Sequence, residues 1–203
     1  TAYIDECGIC SDGNTNHIPN SNKDCNGDCF GKAIIDPCGG CTGGNSGTEL
    51  NQSPVEHKGH RYTCGDLMFV LEMYKLKYPS DECASSGIIG NEDKLSTCID
   101  KYLSLGETRW NGDDRLIQYT LSDESIQGVF PTNAYYASKL YYLDISKNQF
   151  WGPFPDSFCG IHEKGTLRIG GNRFCPPYPN CLNNSPILLI DIEDMKEISR
   201  CSP

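Results

Sequence analysis

The sequence lacks long apolar runs and has little positive charge. It contains no run of 18 or more apolar residues among its 203 residues, so it does not predict a helix that crosses a membrane. Its 17 Lys and Arg residues are outnumbered by 27 Asp and Glu residues, which leaves a net charge of −10. Phosphate backbones and acidic lipids do not attract such a chain. We predict neither a nucleic-acid partner nor membrane insertion.

Catalytic signatures are also missing from the sequence. It contains no Gly-x-Ser-x-Gly elbow, no His-Glu-x-x-His helix and no phosphate-binding glycine loop. The acidic residues are scattered over polar stretches, and no pair of them can be assigned as catalytic carboxylates. The sequence therefore predicts a protein that is not an enzyme.

Cysteine, in contrast, is abundant, with 13 residues. Exported chains use cysteines to close loops, whereas cytosolic chains keep them as thiols or metal ligands. The chain begins at Thr1 without an initiator Met, as a mature exported product would. We therefore expect a secreted or cell-surface protein. We expect disulfides at Cys7, Cys10, Cys25, Cys29, Cys38, Cys41, Cys64, Cys83, Cys98, Cys175, Cys181 and Cys201. Because 13 is odd, one sulfur is free or bonded to another chain, with Cys159 as the candidate and Cys201 as the alternative.

Residues 1–62 predict a Cys- and Gly-rich arm. The stretches "DECGICSDGN" (5–14) and "DPCGGCTGGN" (36–45) share an Asp-x-Cys-Gly-x-Cys pattern, and "DCNGDCFGKAIID" (24–36) lies between them. Because so polar a segment buries little apolar surface, cross-links or ions must provide its order. The following stretch "HKGHRYTC", with His57 and His60, is assigned to an exposed linker rather than to a metal site with Cys64.

Three interpretations of the arm stay open. A four-thiolate zinc site could form from Cys7, Cys10, Cys38 and Cys41. The residues around Gly27 resemble the start of a calcium loop, with side-chain oxygens at Asn22, Asp24, Asn26 and Asp28. Its twelfth position is Ala33 instead of an acid, so only a weak calcium site is compatible with the sequence. Asn and Asp beside Gly are also common turn formers, and we favour this interpretation.

Two helices are predicted after the arm. The stretch "CGDLMFVLEMYKLKY" places Leu67, Val70, Leu71 and Tyr74 on one helix face, and Pro79 ends that helix. The second helix covers 92–103. It has apolar residues at helical spacing: Leu95, Cys98, Ile99, Tyr102 and Leu103.

From residue 116 onward the sequence repeats with a period of 24 residues. "LIQYTLSDESIQGVFP" (116–131) aligns without a gap with "LYYLDISKNQFWGPFP" (140–155), and "LRIGGNRFCPPYP" (167–179) is a third copy. Leu143 aligns with Tyr119 and Leu167. A fixed period in three copies indicates stacked turns of a solenoid.

The pattern L-x-x-L-x-L-x-x-N-x-F-x-G-x-x-P in 140–155 resembles the plant-type leucine-rich repeat. The resemblance implies an α/β fold, namely a short leucine-rich-repeat solenoid of three 24-residue turns. It implies a helical N-terminal cap (63–115) and a repeat region closed by Cys175 and Cys181 (116–181). A C-terminal strand or tail (182–203) follows the repeats. The small disulfide-rich and mostly irregular arm precedes them. Structural roles are expected for Asn148 and Asn172, which bond turn backbones, and for Phe150 and Phe174, which fill the spine.

The arm and two sequons extend the resemblance to surface glycoproteins. "DCNGDCFGKAIIDPCGGCTGG" (24–44) resembles repeats of large extracellular proteins, including algal and protist surface and flagellar-hair (mastigoneme) glycoproteins. N-linked glycans are expected at Asn51 and Asn183, and the nearby Ser-Pro pairs could carry O-linked sugars. Apart from a weak calcium site and these glycans, no cofactor is expected.

Two functional hypotheses remain. The first is a secreted structural or adhesive surface glycoprotein, such as the repeating subunit of an extracellular filament, which self-associates or binds another extracellular protein or glycan. The alternative is a leucine-rich-repeat binding module, an inhibitor or receptor ectodomain, that recognises a protein or glycan. The predicted concave face carries Gln118, Thr120, Ser122, Tyr142, Asp144, Ser146, Thr166 and Arg168. The candidate binding residues are Tyr142, Asp144, Arg168 and the outward-facing Trp151. The apolar tail around 186–201 is predicted to form a final strand or to dock on a neighbouring molecule.

Overall fold

The computed structural model describes residues 1–85, 92–132, 136–158 and 165–180. The chain divides into two compact units, Thr1–Ser53 and Pro54–Pro203. The first unit ends at Ser53, and the arm predicted over 1–62 extends beyond it. Among the described residues, no helix has both the length and the apolar character that a membrane crossing requires. The predicted tail, Cys159, Cys181, Asn183 and Cys201 lie outside the described residues.

The described elements are short strands, two α-helices and two 3₁₀ helices. In chain order they are β1 (Tyr3–Ile4), β2 (Cys10–Ser11), β3 (Ile34–Ile35), β4 (Cys41–Thr42), β5 (Pro54–His57), β6 (His60–Thr63), α1 (Cys64–Lys77), a 3₁₀ helix (Glu82–Ala84), α2 (Glu92–Leu103), β7 (Glu107–Trp110), β8 (Leu116–Thr120), β9 (Gln127–Val129), β10 (Tyr142–Asp144), β11 (Gln149–Pro153), a 3₁₀ helix (Asp156–Phe158), β12 (Thr166–Arg168) and β13 (Arg173–Cys175).

The first unit is built from three loops with the same backbone geometry, each starting at an Asp. We call them Asp loop 1 (5–10), Asp loop 2 (24–29) and Asp loop 3 (36–41) and count the Asp as position 1. In each loop the Gly at position 4 has a φ between 77° and 89°, which glycine adopts without strain. Its N–H donates to the Asp carbonyl at 3.0 Å. The sequence pattern revealed two of these loops.

Each Asp carboxylate organises its own loop. Oδ1 accepts the N–H groups at positions 3 and 5 at 2.9–3.0 Å. Oδ2 accepts a distant N–H, from Asn20, Ala33 or Ser53, at 2.8–3.1 Å. The loops thus use Asp as a turn former, as we favoured. A calcium ion at Asp24 would compete with three of these hydrogen bonds, and that site stays a prediction.

Disulfides cross-link the Asp loops. Cys7 bonds to Cys29, and Cys25 bonds to Cys41. The zinc hypothesis is therefore wrong, because three of its four thiolates, Cys7, Cys38 and Cys41, are disulfide sulfurs. The prediction of a disulfide at Cys10 is also wrong, because Cys10 is a free, exposed thiol.

The other described cysteines confirm the expectation of disulfides. Cys83 bonds to Cys98 and joins the first 3₁₀ helix to α2. Cys38, Cys64 and Cys175 are disulfide-bonded as well.

The hairpin formed by β5 and β6 belongs to the second unit. The N–H of Thr63 donates to the carbonyl of Asp114 at 3.1 Å. His57 is buried, and its Nε2 lies 2.8 Å from Oδ1 of Asp100 on α2. The stretch is therefore an ordered hairpin instead of the linker predicted there, although residues 58–61 are exposed as predicted.

The two α-helices form where the sequence predicts them, but α1 is buried on more than one face. Helix α2 spans the predicted residues and buries Leu95, Ile99 and Tyr102. Phe69 and Met73 of α1 are 0% exposed, although neither belongs to the predicted face. The helix is enclosed because Phe69 packs edge-on against Tyr119 of β8 and also lies beside Phe130 and Phe158.

A four-stranded sheet in the order β12-β10-β8-β7 forms one side of the second unit. Strands β8, β10 and β12 are parallel, and Leu143 pairs with Tyr119 and Leu167. Residues that align at the 24-residue period are therefore the residues that pair across the sheet. Strands β9, β11 and β13 form a second parallel sheet, while β7 runs antiparallel to β8.

Two buried asparagines join successive repeats. Asn148 Oδ1 accepts the N–H of Ile126 at 3.0 Å, and its Nδ2 donates to the carbonyl of Leu121 at 2.7 Å. Asn172 repeats this arrangement one copy later, with the N–H of Phe150 at 3.1 Å. The predicted backbone bonding by both asparagines is confirmed. The rings of Phe150 and Phe174 stack with their centroids 6.1 Å apart, inside the core as predicted.

Candidate binding face

The outer face of the four-stranded sheet is formed by alternate residues of its strands. Tyr119, Leu143 and Leu167 point into the core and are at most 3% exposed. The side chains on either side of them lie on the other face, because successive residues of a strand point to opposite faces. This face is the candidate site, and we call it the sheet face.

The sheet face has two cross-strand rows. The parallel register places Tyr142 between Gln118 and Thr166, and it places Asp144 between Thr120 and Arg168. The antiparallel strand β7 extends both rows by one charged residue, with Arg109 opposite Gln118 and Glu107 opposite Thr120. The structure therefore brings the predicted residues together in one continuous patch.

Glu107 and Arg109 were missed by the sequence analysis. They lie before the first repeat, and no repeat pattern points to them. The alternation of charged residues with Thr108 and Trp110 in "ETRW" was the available signal for a strand. Arg109 Nη1 donates to Oε1 of Gln118 at 3.4 Å, which keeps it on the sheet face.

Arg168 is the most exposed of the three predicted binding residues on this face. Its side chain is 47% exposed, and Nη1 lies 3.7 Å from Oδ2 of Asp144. Its guanidinium carbon lies 6.0 Å from the centroid of the Tyr142 ring, a distance suited to a cation–π contact. Two neighbours therefore restrain the charged end of Arg168.

Asp144, unlike Arg168, is too buried to contact a binding partner. It is 5% exposed, and its Oδ1 accepts the Ser146 N–H at 3.0 Å and the Ser146 hydroxyl at 2.6 Å. The Ser146 hydroxyl lies 3.0 Å from the Ser122 hydroxyl of the previous copy. Asp144 therefore positions Arg168 and orders the end of the strand rather than offering an open carboxylate.

Trp151 lies apart from these residues. It is half-buried on β11, in the other sheet, where it pairs with Val129 and Arg173. The structure therefore does not bring it into the sheet face, and its contact role stays a prediction.

Asn51, the predicted glycan acceptor among the described residues, is 7% exposed. Its N–H donates to the Thr42 hydroxyl at 3.3 Å. A glycan on its side chain would have to displace its surroundings, and glycosylation there stays a prediction.

No model of a known protein family matches the sequence. Among curated proteins, Receptor-like protein 31 of Arabidopsis thaliana is 33% identical over 69 residues, which is 34% of this chain and 7% of that protein. The chain therefore matches a small part of the length of this relative. The similarity to a plant receptor-like protein is weak, and no relation of the Asp loops to flagellar-hair proteins is shown.

Solved structures show a more general likeness, and one of them is the leucine-rich-repeat ectodomain of a plant membrane receptor kinase. The PEPR1–AtPEP1 structure has a TM-score of 0.44 and 17% identity, over 62% of this chain and 17% of that chain. The BIR3–SERK2 complex from Arabidopsis thaliana has a TM-score of 0.42 and 22% identity, over 61% of this chain and 65% of that chain. The ectodomain of GASSHO1/SCHENGEN3 from Arabidopsis thaliana, in complex with CASPARIAN STRIP INTEGRITY FACTOR 2, has a TM-score of 0.42 and 18% identity, over 62% of this chain and 17% of that chain. Values this low indicate a general likeness of form and carry no information on function.

Proposed function

We propose that the second unit is a short leucine-rich-repeat binding module that works outside the cell and recognises a protein or peptide through the sheet face. The observation that carries this proposal is the restrained and half-exposed Arg168 at one end of a continuous polar patch. The disulfides support the extracellular location, because such bonds persist in oxidising compartments.

Arg168 has the properties of a recognition residue. A guanidinium carries five N–H donors. The 3.7 Å separation from Asp144 is longer than a hydrogen bond, so these donors remain available to a partner. Because Tyr142 and Asp144 already restrain the side chain, binding costs less side-chain entropy than it would for a free arginine. We therefore expect the partner to place a carboxylate or another anionic group at Arg168.

The dimensions of the sheet face limit the partner. Its parallel strands are three to five residues long, and the two rows span four strands. Such a face contacts one extended peptide segment or one protruding protein loop rather than a large surface. Arg109 and Glu107 at the far edge add a second charged point, which would fix the direction of a bound peptide.

The experiment is selection from a displayed random peptide library on the immobilised chain, followed by calorimetry with the enriched peptides. We expect acidic peptides whose affinity falls at least tenfold in Arg168→Gln. The matched control is Arg173→Gln, an exposed arginine on β13 in the other sheet, which should leave the affinity unchanged. Enriched peptides that bind both variants and the parent chain equally would contradict the proposal.

A structural or adhesive role is the second candidate, and the free exposed thiol of Cys10 favours it. A filament subunit should self-associate at micromolar concentration under oxidising conditions. Sedimentation velocity measures this, and a single monomeric species would rule the filament out while leaving the binding module intact.

A further inference from the structure

The disulfides of the first unit follow a rule that relates each Asp loop to the one before it. The cysteine at position 6 of Asp loop 2, Cys29, bonds to Cys7 at position 3 of Asp loop 1. The cysteine at position 6 of Asp loop 3, Cys41, bonds to Cys25 at position 2 of Asp loop 2. In both cases the position-6 sulfur reaches back to position 2 or 3 of the preceding loop.

Cys10 occupies position 6 of Asp loop 1 and has the same backbone setting. The residue before each Asp pairs with position 6 across an antiparallel bridge: Ile4 with Cys10, Lys23 with Cys29, and Ile35 with Cys41. The two other position-6 sulfurs, in this same setting, are both bonded. Cys10 alone of the three is free, and it is exposed.

The 203 residues contain no cysteine that satisfies the rule for Cys10. No cysteine precedes Cys7 in the sequence. Cys7 is bonded to Cys29, so it cannot pair with Cys10 while that bond persists. The cysteines at positions 2 and 3 of the later loops, Cys25 and Cys38, are also disulfide-bonded.

We propose that Cys10 is a covalent attachment point, which forms a disulfide with a cysteine at position 2 or 3 of a further Asp loop. The Asp loops would then be links of a longer chain of loops, in which every link is bonded to the one before it. The two thiols are oxidised to one disulfide, and they release two protons. A low-molecular-weight or protein disulfide accepts the two electrons and is reduced to two thiols.

Insertion of an extra loop tests the proposal in the full chain. In the first variant a second copy of residues 5–23 is inserted before Asp5, which reproduces the spacing between Asp loops 1 and 2. In the second variant a copy of residues 24–35 is inserted there, which reproduces the spacing between Asp loops 2 and 3. Each is equilibrated in a glutathione redox buffer, treated with N-ethylmaleimide and mapped without reduction.

We expect Cys10 to bond to the copy of Cys7 in the first variant and to the copy of Cys25 in the second. Alkylation of Cys10 should fall at least tenfold, and the copied position-6 cysteine should become the free thiol. The matched controls carry Ser at the copied Cys7 or Cys25, and Cys10 should stay fully alkylated in them. The bonds Cys7–Cys29 and Cys25–Cys41 report that each variant has folded. If both variants retain them while Cys10 stays alkylated, the proposal is overturned.

A second experiment identifies the source of the added loop. The unmodified chain is equilibrated in the same buffer with a synthetic peptide of residues 5–23 whose Cys10 is replaced by Ser. A peptide of scrambled order serves as the control. Bonding in the insertion variants without preference for the loop peptide supports a preceding repeat in one polypeptide. A tenfold preference for the loop peptide over the scrambled one supports a separate chain. If a Cys10–Cys10 dimer is the main product in both experiments, the proposal is overturned.

Discussion

Arg115 and Asp66 form a buried ion pair that fastens the repeat sheet to the first turn of α1. Arg115 donates from Nε to Oδ2 of Asp66 at 2.7 Å and from Nη2 to Oδ1 at 3.3 Å. The N–H of Leu116, the first residue of β8, donates to the same carboxylate at 2.9 Å. Burial raises the pKa of Asp66, although Arg115 and the N–H of Leu116 oppose that shift. One carboxylate therefore sets the helix against β8, the strand of the first repeat.

Removal of one partner of this pair should be costly. Asp66→Ala leaves a buried guanidinium without its carboxylate, and such a loss costs about 3–5 kcal/mol of the free energy of unfolding. The double variant Asp66→Leu/Arg115→Met should lose less than the single variant, because no buried charge remains. Urea denaturation followed by near-ultraviolet circular dichroism measures both. A double variant that is less stable than Asp66→Ala would contradict this expectation.

Two buried tyrosines should respond in opposite ways to the loss of their hydroxyl groups. Tyr119 is 0% exposed, and its hydroxyl has no hydrogen-bond partner among the described residues. Burial raises the pKa of Tyr119 because the phenolate would be desolvated. Tyr119→Phe should therefore raise the free energy of unfolding by about 1 kcal/mol or more, since an unsatisfied buried polar group is removed.

Tyr102→Phe is the matched control for that change. Tyr102 is equally buried, but its hydroxyl donates to the carbonyl of Cys83 at 2.9 Å. Its removal leaves that carbonyl without this donor and should lower the free energy of unfolding by about 1 kcal/mol. Thermal denaturation of the two variants compares them directly, and equal signs for both would refute the argument.

Replacement of Asn148 should weaken the contact between successive repeats and lower the free energy of unfolding. Asn148→Leu leaves the N–H of Ile126 and the carbonyl of Leu121 without their partner inside the core. Each such buried group costs about 1–3 kcal/mol, so the total loss should exceed about 2 kcal/mol. Hydrogen exchange of the Ile126 amide should accelerate in this variant. An Ile126 amide that exchanges as slowly in Asn148→Leu as in the parent chain would contradict this expectation.

Acid should loosen Asp loop 1. The Ser11 hydroxyl and the N–H groups of Asn20, Ile9 and Cys7 bond the carboxylate and lower the pKa of Asp5 from 3.8 to about 2. Because the folded-state pKa is the lower one, the carboxylate stabilises the loop above pH 3.8. That contribution is lost as the pH falls from about 3.8 to about 2.

Carbon-13 NMR of the Asp5 carboxyl group, with the Cys7 and Ile9 amide shifts, measures this transition. Asp5→Asn should remove the pH dependence of these amides over the same range. An Asp5 midpoint near 3.8 would show that the hydrogen bonds do not act on the charged form.

The sequence by itself determined the features that depend on periodic local pattern. The 24-residue period set the register of β8, β10 and β12, because equivalent side chains of successive copies must stack to bury their apolar groups. The spacing of apolar residues likewise located α2, since one face of that helix packs on the core.

Only the tertiary structure decided which residues that are distant in sequence meet. Cysteine pairing depends on distances in space, so the backward bonding of the Asp loops and the free Cys10 could not be predicted from spacing. The burial of α1 on several faces and the near-complete burial of Asp144 have the same cause, because the elements that cover them come from elsewhere in the chain. Local pattern specifies what a segment can form, and packing selects what covers it.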